Sequence, residues 1–297
     1  MYTRKVFDCF PFWKEFDVLE IRLHELNDVV DKFIIVESAF THSGDKKPFY
    51  LKDNMQRFAK FKEKIILTSN DRFRKKDSPN QREIFQRNII GKVLKENNAK
   101  KEDLIVISDC DEIPRASIIR ELTINPKNSI LELNGYISYF NLYFQKWHRG
   151  RVLLYKDLRS AQKAHRDYFI QTAQSMRRLK FFPFLRINPH FAAGWLDRYF
   201  GIYVGFYGRE ALPIISNAGW HFTKMFPAED ILESVFASSH LEFRSDVSGI
   251  DDVIRKRNEK KTYYGGELFG EIVPLDNSFP KHLIDNKERF KNFIIPV

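Results

Sequence analysis

The stretch LIVISDCDEIPR, residues 104–115, decides the fold. Four consecutive β-formers, Leu104 to Ile107, read as a buried strand. Three acids, Asp109, Asp111 and Glu112, follow it at once, and Pro114 is expected to stop the chain from settling into strand or helix. Open α/β sheets bind ligands at the carboxyl ends of their strands, so the charge stands where a site belongs. Two carboxylates one residue apart can reach one hard divalent cation and leave positions for phosphate oxygens. Alone, the triplet serves a solvated turn equally well.

Upstream, strand and helix alternate. Lys5 to Phe10 reads as a short strand, Glu15 to Leu26 as a helix with Phe16, Leu19, Leu23 and Leu26 on one face, and KFIIV (32–36) as a buried strand ending in Glu37. Ser43-Gly44-Asp45 marks a turn, Lys64 to Leu67 another strand, and Pro79-Asn80 opens a helix to about Glu96. This order predicts a doubly wound α/β sheet. Beyond residue 129 the segments SILELNGYISYFNLYF, RVLLYKD and LPIISNAGWHF are strand-like and aromatic, and are expected to add antiparallel strands and close one side of a cleft. Helical patterns return at 228–237 and after Pro280. With no repeat and no low-complexity linker, one domain is expected.

A chain of 297 residues, 43% hydrophobic, can bury an ordinary core, and its net charge of +10 favours anionic partners. Cys9 and Cys110 lie in or beside apolar stretches, which predicts no disulfide framework and a reducing compartment, and Cys110, between two acids, reads as a small filler. No run of eighteen apolar residues and no h-region is present, so a cytoplasmic chain is expected. An acidic cluster on a basic surface also suits a metal-dependent phosphoesterase or nuclease, but no second Asp/His cluster stands at two-metal spacing. A nucleic-acid-binding protein would explain the charge, yet the basic runs RFRKK (72–76) and RKRNEKK (255–261) lack interleaved aromatics. The same runs suit peripheral contact with an anionic membrane.

Four blocks carry a resemblance. Residues 12–51, FWKEFDVLEIRLHELNDVVDKFIIVESAFTHSGDKKPFYL, with ISDCDEIPR, AGWHF (218–222) and FPKHLIDNKERFKNF (279–293), resemble in order the signatures of glycosyltransferase family 17. The resemblance implies a GT-A type fold, with about 1–128 as the nucleotide-sugar-binding half and about 129–297 as the acceptor-side half. It implies an inverting transfer from a UDP-sugar, UDP-GlcNAc in the characterised member, with Mn²⁺ or Mg²⁺. The middle of the chain matches poorly, so donor chemistry carries over better than the acceptor, a glycan or lipid-linked saccharide, and a bacterial or viral origin is expected.

Asp109, Asp111 and the late-sequence His221 are the expected metal ligands, and Glu112 a helper that orients the sugar or caps the turn. Glu37, with Ser38 and Thr41, stands where acids of nucleotide folds accept hydrogen bonds from ribose or base, although Thr41 serves a turn cap equally well. Lys46 and Lys47 follow a glycine turn within reach of phosphate. Arg87, in a turn resembling the family's donor-side helix, is assigned to the diphosphate or sugar, beside a simple ion pair with Glu83. Trp220 and Trp195 offer faces to an acceptor sugar. Glu229, narrowly ahead of Asp230, is the expected general base.

Overall fold

The computed structural model describes residues 3–72, 76–158, 212–263 and 268–296. Leu104, Ile105 and Val106 are fully buried, as a strand with apolar layers on both faces requires. Strand β1 (Val6–Phe12) lies between β2 (Lys32–Ser38) and β4 (Leu104–Ile107), parallel to both, and β2 pairs in parallel with β3 (Ile65–Asn70). The order β3-β2-β1-β4 is the doubly wound half expected from the alternating pattern.

Alternation along β1 sends Val6, Phe10 and Phe12 to one face and Phe7 and Cys9 to the other. Helix α1 (Phe16–Leu26) covers the first face with Leu19, Leu23 and Leu26. After the short α2 (Tyr50–Asp53), helix α3 (Pro79–Glu96) covers the second with Ile90, Val93 and Leu94. Each such buried side chain contributes about 1.5–3 kcal/mol. Helix α3 starts where its sequence marks it: Ser78 and Gln81 form a reciprocal capping box ahead of Pro79. The same parity puts Asp8 on the α1 face, where Arg22 meets it at 2.6 Å, both side chains fully buried.

The sheet continues through β8 (Arg151–Leu154), β6 (Ser129–Ile137), β7 (Leu142–Trp147) and the two-residue β10 (Glu271–Ile272). Strands β7 and β8 run antiparallel to β6, as expected. Two expectations are corrected. Pro114 does not bar a strand: it closes the three-residue β5 (Glu112–Pro114), opposite Gly219 of β9 (Ile214–Thr223), and the ladder continues through Arg115 N–H to Ala218 O at 2.8 Å. And β9, antiparallel to β5, runs parallel to β6.

Helix α4 (Ala116–Ile124) and helix α6 (Ile250–Asn258) were not read from the sequence; α6 runs into the basic stretch 255–261 and buries Val253 alone. Helix α5 (Ala228–Ala237) and α7 (Lys281–Asp285) stand where helical patterns were expected. No helix among the described residues is long and apolar enough to cross a membrane.

Candidate active site

The acidic loop is shaped by the strands on either side of it. Strand β4 ends at Ile107, and β5 then pairs with β9 so that Glu112 faces His221 across the ladder. Phe222 N–H donates to Asp111 O at 2.8 Å. This register brings the Asp111 carboxylate within 3.4 Å of His221 Nε2. Burial alone would raise the Asp111 carboxyl, but His221 and Lys224 together hold it below its ordinary value. Burial likewise opposes charge on His221, and the adjacent Asp111 overrides it and raises the imidazole's pKa.

Asp109 is the open member, 45% exposed. Its Oδ1 accepts from Arg87 Nη2 at 2.5 Å, and the same arginine donates to Glu83. Of the two readings of Arg87, the ion pair with Glu83 is present, and the arginine also reaches the acidic loop. Burial disfavours the Glu83 carboxylate, yet Arg87 and His42 bring its pKa down to about 2.

Glu112 is 2% exposed and has both oxygens committed. Oε2 accepts from Asp109 N–H at 2.9 Å and Oε1 from Trp147 Nε1. The Trp147 ring stacks on His221 at 4.6 Å. Glu112 therefore sets the loop and, through Trp147, the imidazole. Cys110 is a buried free thiol whose pKa is raised first by burial.

The end of β2 corrects the role of one acid. Glu37 is fully buried and caps the start of α2, accepting from Leu51 N–H at 2.8 Å and Lys52 N–H at 3.1 Å. Its oxygens serve the protein backbone instead of a ribose, because a short helix begins where the sequence showed none. Ser38 and Thr41 also bond locally, Ser38 to Phe40 N–H and Thr41 to Gly44 and Asp45 N–H, yet both line clefts.

Glu15 is the residue that sequence reading missed. Strand β1 lies beside β4 in parallel register, so the carboxyl ends of the two strands, and the acids after them, are neighbours. Glu15 Oε2 accepts from Trp13 and Lys14 N–H at 2.9 and 3.0 Å. Burial first and the Asp111 charge second push its pKa up to about 7. The strand-end rule that nominated Glu37 nominates Glu15 equally. Lys224, which acts on both Glu15 and Asp111, adopts a left-handed φ of 59° just after β9, the kind of local strain that collects at functional sites.

Three assignments to the acceptor and the base fare differently. Trp220 is 2% exposed, with the Arg115 guanidinium 4.2 Å from its ring centroid and Phe222 alongside at 6.4 Å. Alternation along β9 turns Trp220 and Phe222 into the core and His221 the other way, so Trp220 offers no face to a sugar. Trp195 lies outside the described residues. Glu229 is exposed in the first turn of α5, where a carboxylate complements the helix dipole, and no hydrogen bond or ion pair among the described residues joins it to the acidic loop. Asp230 pairs with Lys14 at 2.7 Å.

Two clefts open beside Thr41. One, a narrow crevice of about 10 Å³, lies between the ends of β2 and β3 and helix α3, lined by Ser38, His42, Asn70, Arg72 and Gln86. The other, of about 280 Å³, separates the 41–50 segment from α5, with Lys46, Lys47, Tyr50, Glu233 and Phe236 on its walls. Lys47 is buried, and burial lowers its pKa.

Among the described residues no three His, Cys, Asp or Glu side chains converge closely enough to encage an ion by themselves. Asp111 and His221 supply an oxygen and a nitrogen side by side. That donor set suits an open catalytic cation whose other positions go to substrate oxygens and water, and it does not suit a closed structural site.

The family model of glycosyltransferase family 17 matches residues 1–174. Beta-1,4-mannosyl-glycoprotein 4-beta-N-acetylglucosaminyltransferase of Rattus norvegicus and that of Homo sapiens are each 31% identical to this chain over 121 residues. The Mus musculus protein of the same name is 30% identical. These alignments cover 37% of this chain and 22% of each relative, so the chain spans under a quarter of the length of the relatives it matches.

Proposed function

The chain belongs to glycosyltransferase family 17, and from that premise we propose that it is a metal-dependent, inverting glycosyltransferase of the GT-A type. It moves GlcNAc from UDP-GlcNAc onto a hydroxyl of a glycan or lipid-linked saccharide. Within one catalytic domain, residues 1–128 hold the donor and 129–297 the acceptor. The observation that carries this reading is the Asp111–His221 contact beside the Asp109–Arg87 pair, at the carboxyl ends of adjacent parallel strands.

In this mechanism the wider cleft beside Thr41 takes the nucleoside, with Ser38 in the adjoining crevice. Arg87, a planar fork already aimed at the acidic loop, turns its N–H groups to the diphosphate. Asp111 and His221, with Asp109, are the residues that would hold Mn²⁺ or Mg²⁺, which when bound supplies positive charge to the departing diphosphate. Glu15, in place of Glu229, accepts the proton of the acceptor hydroxyl. The acceptor oxygen bonds to the anomeric carbon from the face opposite UDP, and the bond to the β-phosphate oxygen breaks with its electron pair leaving on UDP.

The test is a donor screen by thermal unfolding with and without Mn²⁺. UDP-GlcNAc with Mn²⁺ is expected to raise the melting temperature of the wild type and to leave Asp111→Ala unmoved. If no UDP-, GDP- or CMP-sugar shifts the wild type, or if Asp111→Ala responds like it, the reading fails. The reading extends to a cytoplasmic, membrane-peripheral enzyme, which co-sedimentation with anionic vesicles at low salt checks.

A further inference from the structure

Arg22 is the largest fully buried side chain of the described residues, and it sits under the acidic loop. Its Nε and Nη2 grip both oxygens of Asp8, at 2.8 and 2.6 Å, and Nη2 also donates to Ser108 Oγ at 2.7 Å. Nη1 faces three loop carbonyls at once: Asp109 O at 2.7 Å, Glu112 O at 2.9 Å and Cys110 O at 3.2 Å. The Phe10 ring closes the guanidinium from one side at 4.2 Å. Ser108 Oγ in turn donates to Glu112 O at 3.1 Å.

Three buried carbonyls pointing at one another repel unless a cation lies between them. With the carbonyls of 109, 110 and 112 drawn inward to Arg22, the Asp109 and Asp111 side chains stand on the other side of the turn, where Asp109 meets Arg87 and Asp111 meets His221. Asp8 holds the guanidinium in place and anchors it to β1, the strand that leads to Glu15.

We infer that Arg22, locked by Asp8, is a positioning residue that presents the Asp109 and Asp111 carboxylates to a divalent cation by clamping the carbonyls of their loop. The inference rests on the metal-dependent reading above. Lysine keeps the charge but has three rotating donors in place of a fixed fork, so it cannot hold Asp8, Ser108 and three carbonyls together.

The experiment measures Mn²⁺ binding in the presence of UDP, by the loss of the free-ion electron paramagnetic resonance signal, well below the melting temperature of each variant. Arg22→Lys is expected to weaken Mn²⁺ binding by about tenfold or more, as loss of a group supporting metal ligands does, and Ser108→Ala by about threefold. Val253→Ala, in the core under α6, controls for lost stability and is expected to bind Mn²⁺ like the wild type. The inference is overturned alone if Arg22→Lys binds as tightly as Val253→Ala. Should Arg22→Lys fail to fold, unchanged affinity in Ser108→Ala overturns it. If the wild type itself binds no Mn²⁺, the metal-dependent reading falls and the inference goes with it.

Discussion

At the scale of single residues, the site is a set of carboxylates with different tasks. Asp111 is kept ionised by His221; Glu112 is spent on holding Asp109 and Trp147; Glu15 is held near neutrality's edge. A general base works best with a pKa close to the working pH. Glu15, at about 7, is half protonated at neutral pH, and only its ionised form can take a proton. Transfer should therefore rise with pH through about 7 and level off above it. Glu15→Gln should lose roughly 10²–10⁴-fold in rate and the rising limb with it. Steady-state rates from pH 5.5 to 9 decide this: a Gln variant that keeps both rate and limb removes Glu15 from the mechanism. Finding Glu15 needed the structure: its two backbone donors, Trp13 and Lys14 N–H, both fall on Oε2, whereas those of Glu37 take one oxygen each. Leu51 and Lys52 N–H consume Glu37, and nothing in the residues around 50 marks the short helix that aims them.

At the scale of elements, the deciding contact is β5 against β9. A Cβ built on Gly219 would stand 2.1 Å from Ile113 O and 2.8 Å from Pro114 Cα, so the two strands approach only because residue 219 has no side chain. Gly219→Ala must push β5 away from β9, and that ladder sets Glu112 opposite His221. The variant should lose about 1–3 kcal/mol of stability, the usual cost of overpacking, and its donor-induced thermal shift with Mn²⁺. Gly150→Ala, where the nearest atom is Leu131 Cβ at an ordinary 3.6 Å, is the tolerated comparison. Equal denaturation midpoints for Gly219→Ala and the wild type would sink the argument. This contact also explains what the sequence could and could not tell. Strands β1 to β4 and helices α1 and α3 were legible because each carries its own periodicity and, for α3, its own cap. Strand β5 was hidden because three residues ending in proline carry no period. Without β5, the two faces of β9 could not be told apart, and Trp220 looked as available as His221.

At the scale of the whole molecule, the last segment folds back onto the first helix. His24 of α1 and His282 of α7 stack with ring centroids 3.7 Å apart and planes 3° from parallel. His282 Nε2 reaches Glu20 Oε1 at 3.1 Å, Arg289 reaches Glu20 Oε2, and Phe290 is fully buried behind them. Burial first, then the second imidazole, push the pKa of His24 down to about 4 from an ordinary 6.5. Above pH 6.5 both folded and unfolded chains carry this ring neutral, so it does not affect stability. Between 6.5 and 4 the unfolded chain takes up a proton that the folded one refuses, so stability falls as pH falls, and the loss is complete below 4. Burial works against the Glu20 carboxylate, but Arg57 and His282 lower its pKa below 4.5, so its own loss of stability comes only at more acid pH. Glu15 and His42 also titrate across the span from pH 6.5 to 4.5, so the comparison with a His24 variant, and not the wild-type slope alone, isolates this ring. Across that span the wild type should lose melting temperature relative to His24→Phe, which keeps the stacking partner for His282 but cannot protonate. Parallel melting curves of the two proteins from pH 7.5 to 4.5 are the measurement. Identical slopes would show that the docking of the C-terminal segment on α1 is indifferent to the charge of this ring.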